Sequence, residues 1–120
     1  MATQDKVVTL GPYFKVHEGR LPEFKKYCER FVEQTRTKRD CLYYGYCFDG
    51  DLAFCREGFT SAEAVLAHLK NVAPITEEAL KISSIVRVEV CGPESELTKL
   101  RDPMARWKPQ FFVLEFGFRR

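Results

Sequence analysis

Histidine and tryptophan are scarce in this 120-residue chain, and several kinds of chemistry leave with them. His17 and His68 are the only histidines and no cysteine pair stands at Cys-x-x-Cys spacing, so no metal-ligand set can be read and no metal site is expected. A Gly-rich phosphate loop and a Ser-His-Asp order are both missing. The N-terminus, Met-Ala-Thr-Gln-Asp-Lys, has no apolar leader core. The longest C-terminal apolar run, Phe111 to Phe118, is broken by Glu115 and too short to cross a bilayer. A soluble, cytoplasmic protein with no membrane partner is the expectation. Charge of one sign is also missing: 19 basic residues against 17 acidic leave a net charge of +2, too balanced for a nucleic-acid footprint. Arg36, Lys38 and Arg39 gather at one helix end, where they suit the negative end of the helix dipole. The five cysteines, 28, 41, 47, 55 and 91, cannot all pair within one chain, and reduced thiols of a cytosolic protein account for them.

What is present is one domain over 1–120, with 45% hydrophobic and 30% charged residues. Its core spans 7–92, and 93–120 form an extension with a last strand near 111–118. The centre is the run from Cys41 to Val72. Asp49-Gly50 tolerates the positive φ of a tight turn between two aromatic-rich strands near 41–48 and 52–58. Thr60 then opens a helix as N-cap, with Glu63 closing a capping box. Before the hairpin, Val7 to Val16 suits a strand made irregular, or held at an edge, by Gly11-Pro12. Leu21, Phe24, Cys28, Phe31, Val32 and Thr35 form the apolar stripe of a helix that starts at Pro22. After the hairpin, Ala62, Val65, Leu66, Leu69 and Val72 stripe a second helix, with His68 at the flank of that stripe. Pro74 is expected to break this helix and restart it. Ile85 to Cys91 reads as a fourth strand with Val86, Val88 and Val90 on one face. The order βαββαβ makes a ferredoxin-like α+β sandwich, a four-stranded antiparallel sheet with helices on one side, plus a C-terminal strand.

On the second strand Leu42, Tyr44, Tyr46 and Phe48 alternate with Cys41, Tyr43, Gly45 and Cys47, so neither face is built for water. A second copy of the chain covering the free face is the economical partner. The last strand, too apolar to lie free, is expected to pair with or pack against that copy.

Two segments carry a family resemblance: Val16-His17-Glu18-Gly19-Arg20-Leu21-Pro22-Glu23-Phe24, and Glu57-Gly58-Phe59-Thr60-Ser61-Ala62-Glu63-Ala64 with His68 behind it. The chain resembles the antibiotic biosynthesis monooxygenase-like family of the dimeric α+β barrel superfamily. That resemblance implies a homodimeric barrel, with a cleft in each subunit for an apolar or aromatic small molecule. It further implies a cofactor-independent monooxygenase of quinol or polyketide-like substrates, with no cofactor. Two features depart from the family: no second histidine follows His68, and the only tryptophan, Trp107, lies beyond the fourth strand, which speaks against the haem-degrading branch.

Cofactor-free oxygenation needs a base that leaves an electron-rich anion for O₂. His68 can serve, with the Glu57 carboxylate fixing its tautomer and raising its basicity. Tyr44 and Tyr46, with Tyr43, can donate to a bound oxyanion or simply pack. Cys55, two residues from Glu57 on one strand face, reads either as a reactive thiol or as filling. A non-catalytic, ligand-binding or structural dimer is the competing class, and an open cavity beside His68 would favour chemistry or binding over it.

Overall fold

The computed structural model describes residues 3–120. Its elements are β1 (Val8–Val16), α1 (Leu21–Arg36), β2 (Cys41–Asp49), β3 (Leu52–Phe59), α2 (Ala62–Ala79), β4 (Ser83–Gly92), α3 (Glu94–Leu97) and β5 (Gln110–Val113), with a 3-10 turn at Ala105–Trp107. The sheet order is β2-β3-β1-β4-β5. The first four strands pair antiparallel in the ferredoxin-like arrangement, and Gly50, at φ 60°, turns the β2–β3 hairpin. Among the described residues no helix is long and apolar enough to cross a membrane.

Prolines decide three local outcomes. Pro12 lies not at an edge but in the inner strand β1. The β1–β3 ladder passes from Leu10 opposite Glu57 to Tyr13 opposite Phe54 and leaves out Gly11 and Pro12, where the missing N–H would break it. On the other side, Arg87 faces Tyr13 and Ile85 faces Phe14, so Val86 is the extra residue of a bulge. Val86 therefore turns out to solvent, 57% exposed, while Ile85 packs on the core with Val88 and Val90. This corrects the face read from alternation. Pro22 sits in the first turn of α1, whose Phe24, Cys28, Phe31 and Thr35 are buried as the stripe requires. Pro74 does not break α2, which is continuous. An interior proline costs about 3 kcal/mol, but Val72 and Ile75 on either side of it are buried, and each contributes about 1.5–3 kcal/mol.

The start of α2 differs from the capping box. Ser61, not Thr60, is the N-cap, its Oγ accepting from the Ala64 N–H at 3.2 Å. The carboxylate on the helix is Glu96, whose Oε1 accepts from the Ala62 N–H at 2.9 Å, while Glu63 pairs with Lys99 at 3.1 Å. On β2 a register shift between Cys41 and Tyr43 turns Cys41 onto the core and Leu42 outward, so Leu42 does not share the face of Tyr44 and Tyr46.

The last strand is four residues long and joins its own sheet, parallel to β4, with Glu89 opposite Gln110 and Gly92 opposite Val113. The expectation of pairing with a second subunit is therefore corrected. A parallel neighbour needs a crossover of roughly a dozen residues or more, and residues 93–109 supply it. The crossover lies on the helix side of the sheet, where Leu97, Leu100 and Met104 join Val8, Leu10, Phe59, Val65 and Val90 in one core cluster. A second cluster, with Phe14, Phe24, Phe31, Val72, Ile75 and Ile82, fills the opposite end under α1. Past β5 the Leu114 N–H donates to the Gly92 carbonyl at 2.7 Å and Glu115 accepts from the Thr3 N–H at 3.0 Å. Phe116 and Phe118 remain 76% and 78% exposed.

Candidate active site

Ile85 packs against both clusters, and residues of both, with α2, line an open cleft of about 340 Å³. Leu10 and Phe14 of β1, Val72 of α2 and Val88 of β4 make its walls apolar, and Tyr44, Tyr46, Glu57 and His68 supply its polar groups. Such a volume suits a small organic molecule.

Alternation on β3 turns Ala53, Cys55, Glu57 and Phe59 inward, which leaves Glu57 as the one carboxyl on the core face of that strand. Across from it, α2 presents His68. The 3.6-residue period puts His68 at the flank of the stripe, yet it is only 6% exposed. Its ring is held between Tyr44, centroids 5.3 Å apart, and Phe59, 5.0 Å apart, which close over that flank. Nε2 of His68 stands 3.4 Å from Oε1 of Glu57. Neither that oxygen nor Nδ1 of His68 has a hydrogen-bond partner.

Burial governs the protonation of both groups. It pushes the Glu57 carboxyl from 4.5 up to about 8, against a small opposing pull from the Cys55 thiol. It pushes the His68 imidazole from 6.5 down to about 4, where pairing with a carboxylate would have raised it. At pH 7 the carboxyl is mostly protonated and the imidazole neutral, so the pair holds one proton. The geometry thus brings together the two residues that the sequence singles out, and exchanges their strengths: Glu57 titrates near neutrality and His68 does not.

Tyr44 and Tyr46 share a hydrogen bond between their hydroxyls at 3.1 Å. Burial pushes both phenols far up, so they stay protonated and can donate. Cys55 is fully buried, and desolvation with the nearby Glu57 pushes its thiol far up. It cannot form a thiolate at neutral pH, and the reactive reading gives way to filling. Among the described residues no group of three or more ligand-type side chains could hold a metal.

The extension supplies what sequence reading missed. Met104, Arg106 and Trp107 line the cleft, with the Arg106 guanidinium 4.4 Å from the Trp107 ring centroid. The tryptophan placed outside the core therefore stands at the cleft, and its distance is no longer an argument against haem. The histidine is: an imidazole with Nε2 against the Glu57 carboxyl and Nδ1 buried does not fit an axial iron ligand. The one signal that could have placed Trp107 here is the length of the crossover, which obliges residues 93–109 to lie across a face of the sheet.

No family model matches the chain, nor does any curated protein. Solved structures do. MupZ from Pseudomonas fluorescens is 47% identical, with a TM-score of 0.92 over 96% of this chain and 95% of that one. A candidate antibiotic biosynthesis monooxygenase of Caulobacter crescentus CB15 superposes with a TM-score of 0.66 at 15% identity, over 72% of this chain and 88% of that one. Another, of Chloroflexus aurantiacus J-10-fl, does so with a TM-score of 0.62 at 17% identity, over 73% and 93%. These two share the fold alone, whereas a match over 96% of the chain must include most of the extension at 93–120. The chain belongs to the family of MupZ, and its fold is that of the antibiotic biosynthesis monooxygenase-like proteins.

Proposed function

We propose that the protein is an acid–base enzyme acting on an apolar or aromatic small molecule bound in the cleft. The observation that carries this reading is a sealed carboxyl, Glu57, titrating to about 8 beside a neutral imidazole in the wall of an open apolar cavity. A proton-transfer group works best when its pKa lies near the working pH, and of Tyr44, Tyr46, Glu57 and His68 it is Glu57 that meets that condition. A protein with a purely structural role would have no use for the open space or for the cost of burying a carboxyl without a hydrogen bond on Oε1.

In the form that the family resemblance suggests, the fraction of Glu57 that is ionised takes the acidic proton of a quinol or polyketide-like substrate. Tyr44 and Tyr46 donate to the oxyanion, and the anion reacts with O₂ with no cofactor. The protonated state of Glu57 at pH 7 favours a second form, in which the carboxyl donates its proton to a substrate oxygen and no O₂ is consumed. The sheet face away from the helices supports a homodimer as the working unit. Tyr13 and Phe54 lie ring to ring there at 4.6 Å, and Tyr43 and Phe54 lie over Gly58 and Gly11, where a Cβ would collide with them.

The test incubates purified protein with a panel of quinols and anthrone-like aromatics, with and without oxygen, following substrate loss and oxygen uptake. Turnover that falls about 10²-fold or more in Glu57→Gln supports the acid–base reading. Oxygen uptake in step with turnover selects its first form, and turnover without uptake its second. Turnover unchanged in Glu57→Gln would overturn both.

A further inference from the structure

Behind His68, away from Glu57, is a second cavity of about 290 Å³. Its outer wall is the loop after α1, with Thr37, Lys38, Arg39 and Asp40, and its inner wall includes Phe59, Ala67, His68 and Asn71. Among the described residues His68 alone lines both this cavity and the cleft, so its ring is the partition between them. Two of the orphaned buried polar atoms of the chain belong to this partition: Nδ1 of His68 and Oδ1 of Asn71, one turn apart on α2. A buried polar atom without a partner signals a missing hydrogen bond, and a cavity this large with polar groups at both ends readily holds water.

We propose that this second cavity is a water-filled port through which the Glu57–His68 pair exchanges protons with solvent, with Asn71 positioning the water at Nδ1. The proposal rests on the acid–base reading of Glu57 and deepens it. In the resting pair the neutral imidazole holds its hydrogen on Nε2, facing Oε1 of Glu57, and Nδ1 accepts from a water that donates its other hydrogen to Asn71 Oδ1. When Glu57 has given its proton to a substrate, the imidazole hydrogen sits on Nε2 facing the carboxylate. Water then delivers one proton to Nδ1 while Nε2 hands one to Glu57. One proton enters from the port, one reaches the carboxyl, and the ring ends neutral. The substrate cleft can stay dry and occupied throughout, because the proton does not pass through it. The groups around the imidazole are consistent with a neutral relay: Glu57 on β3 is mostly protonated at pH 7, and Cys41 on β2, pushed up to about 11 by burial, stays a thiol. Lys38, Arg39 and Asp40 are exposed at the loop end, which keeps that end hydrated.

The experiment needs no substrate. In ¹⁵N-labelled protein the rate at which the His68 imidazole proton exchanges with water is measured by NMR for the wild type, for Asn71→Leu and Ala67→Leu, which fill the port, and for Thr76→Trp, which fills the cleft. The port variants are expected to slow exchange by on the order of tenfold, with Thr76→Trp unchanged. Ala67 is exposed, so Ala67→Leu decides the matter if Asn71→Leu fails to fold. Exchange that is unchanged by filling the port, or slowed only by filling the cleft, would overturn the proposal. The acid–base reading is checked separately in the same samples: a Glu57 carboxyl titrating near 4.5 in the wild type would sink that reading, whatever the port variants do.

Discussion

Oε1 of Glu57 lies 3.4 Å from Nε2 of His68, with each side chain only about 5% exposed and that oxygen without a hydrogen-bond partner. The pair is therefore a place where the fold gives up stability. The folded-state pKa of Glu57, about 8, lies above its unfolded value of 4.5, so the folded chain binds the extra proton, and stability falls as pH rises between those values. His68, at about 4 against 6.5, contributes the opposite slope between 4 and 6.5. The two cancel from pH 4.5 to 6.5, and only Glu57 acts above that. Unfolding followed with denaturant at both pH values should show Glu57→Gln gaining about 2 kcal/mol on the wild type between pH 6.5 and 8. A constant difference between the two proteins across that window would contradict it.

Most of the fold is legible in the sequence because its periods are strong. The stripe of α1, the Asp49-Gly50 hairpin and the βαββαβ order all come from local patterns. Where the reading missed, a distant contact decided. Val86 faces solvent because β4 bulges opposite Tyr13 and Phe14 of β1, and Pro74 stays helical because Val72 and Ile75 are buried on either side of it. The site divides the same way. Glu57 and His68 could be picked out from the strand face and the helix flank, but their strengths could not, because the desolvation that sets both comes from Tyr44, Phe59 and the rest of the packed core. Trp107 and Met104 could not be placed without knowing that β5 runs parallel to β4.

The Glu96 carboxylate ties the extension to the start of α2. Glu96→Ala removes the acceptor for the Ala62 N–H and should lower stability by about 1–2 kcal/mol. Thermal unfolding measures this, and because Ser61 still caps the Ala64 N–H, the helix should survive with unchanged far-ultraviolet circular dichroism.

Trp107 is the sole tryptophan and lines the cleft, so its fluorescence reports on occupancy. Titration with an aromatic hydrocarbon probe small enough for about 340 Å³ should shift or quench the emission. Thr76→Trp would add a second, cleft-lining indole, so the narrowing variant for this assay is Thr76→Phe, which should weaken the probe's binding. Emission that ignores every such probe would mean that the cleft is not a binding site.

A homodimer through the outer sheet face should sediment at twice the 14.0 kDa of one chain. Phe54→Asp places a charge beside Tyr13 and Gly11 and should give a folded monomer, since Phe54 lies on the face away from both core clusters. Wild-type protein that is monomeric at micromolar concentration would remove the dimer from the account.

The most direct measurement of the central claim is the ¹³C chemical shift of the Glu57 side-chain carboxyl followed from pH 4 to 9.5, assigned by its loss in Glu57→Gln. The account predicts a carboxyl that remains protonated through neutrality and titrates with a midpoint near 8, while the His68 ring stays neutral down to about pH 4. A midpoint for Glu57 in the ordinary carboxylate range near 4.5 would contradict it, because Glu57 would then be a fixed charge and not the proton carrier of the site.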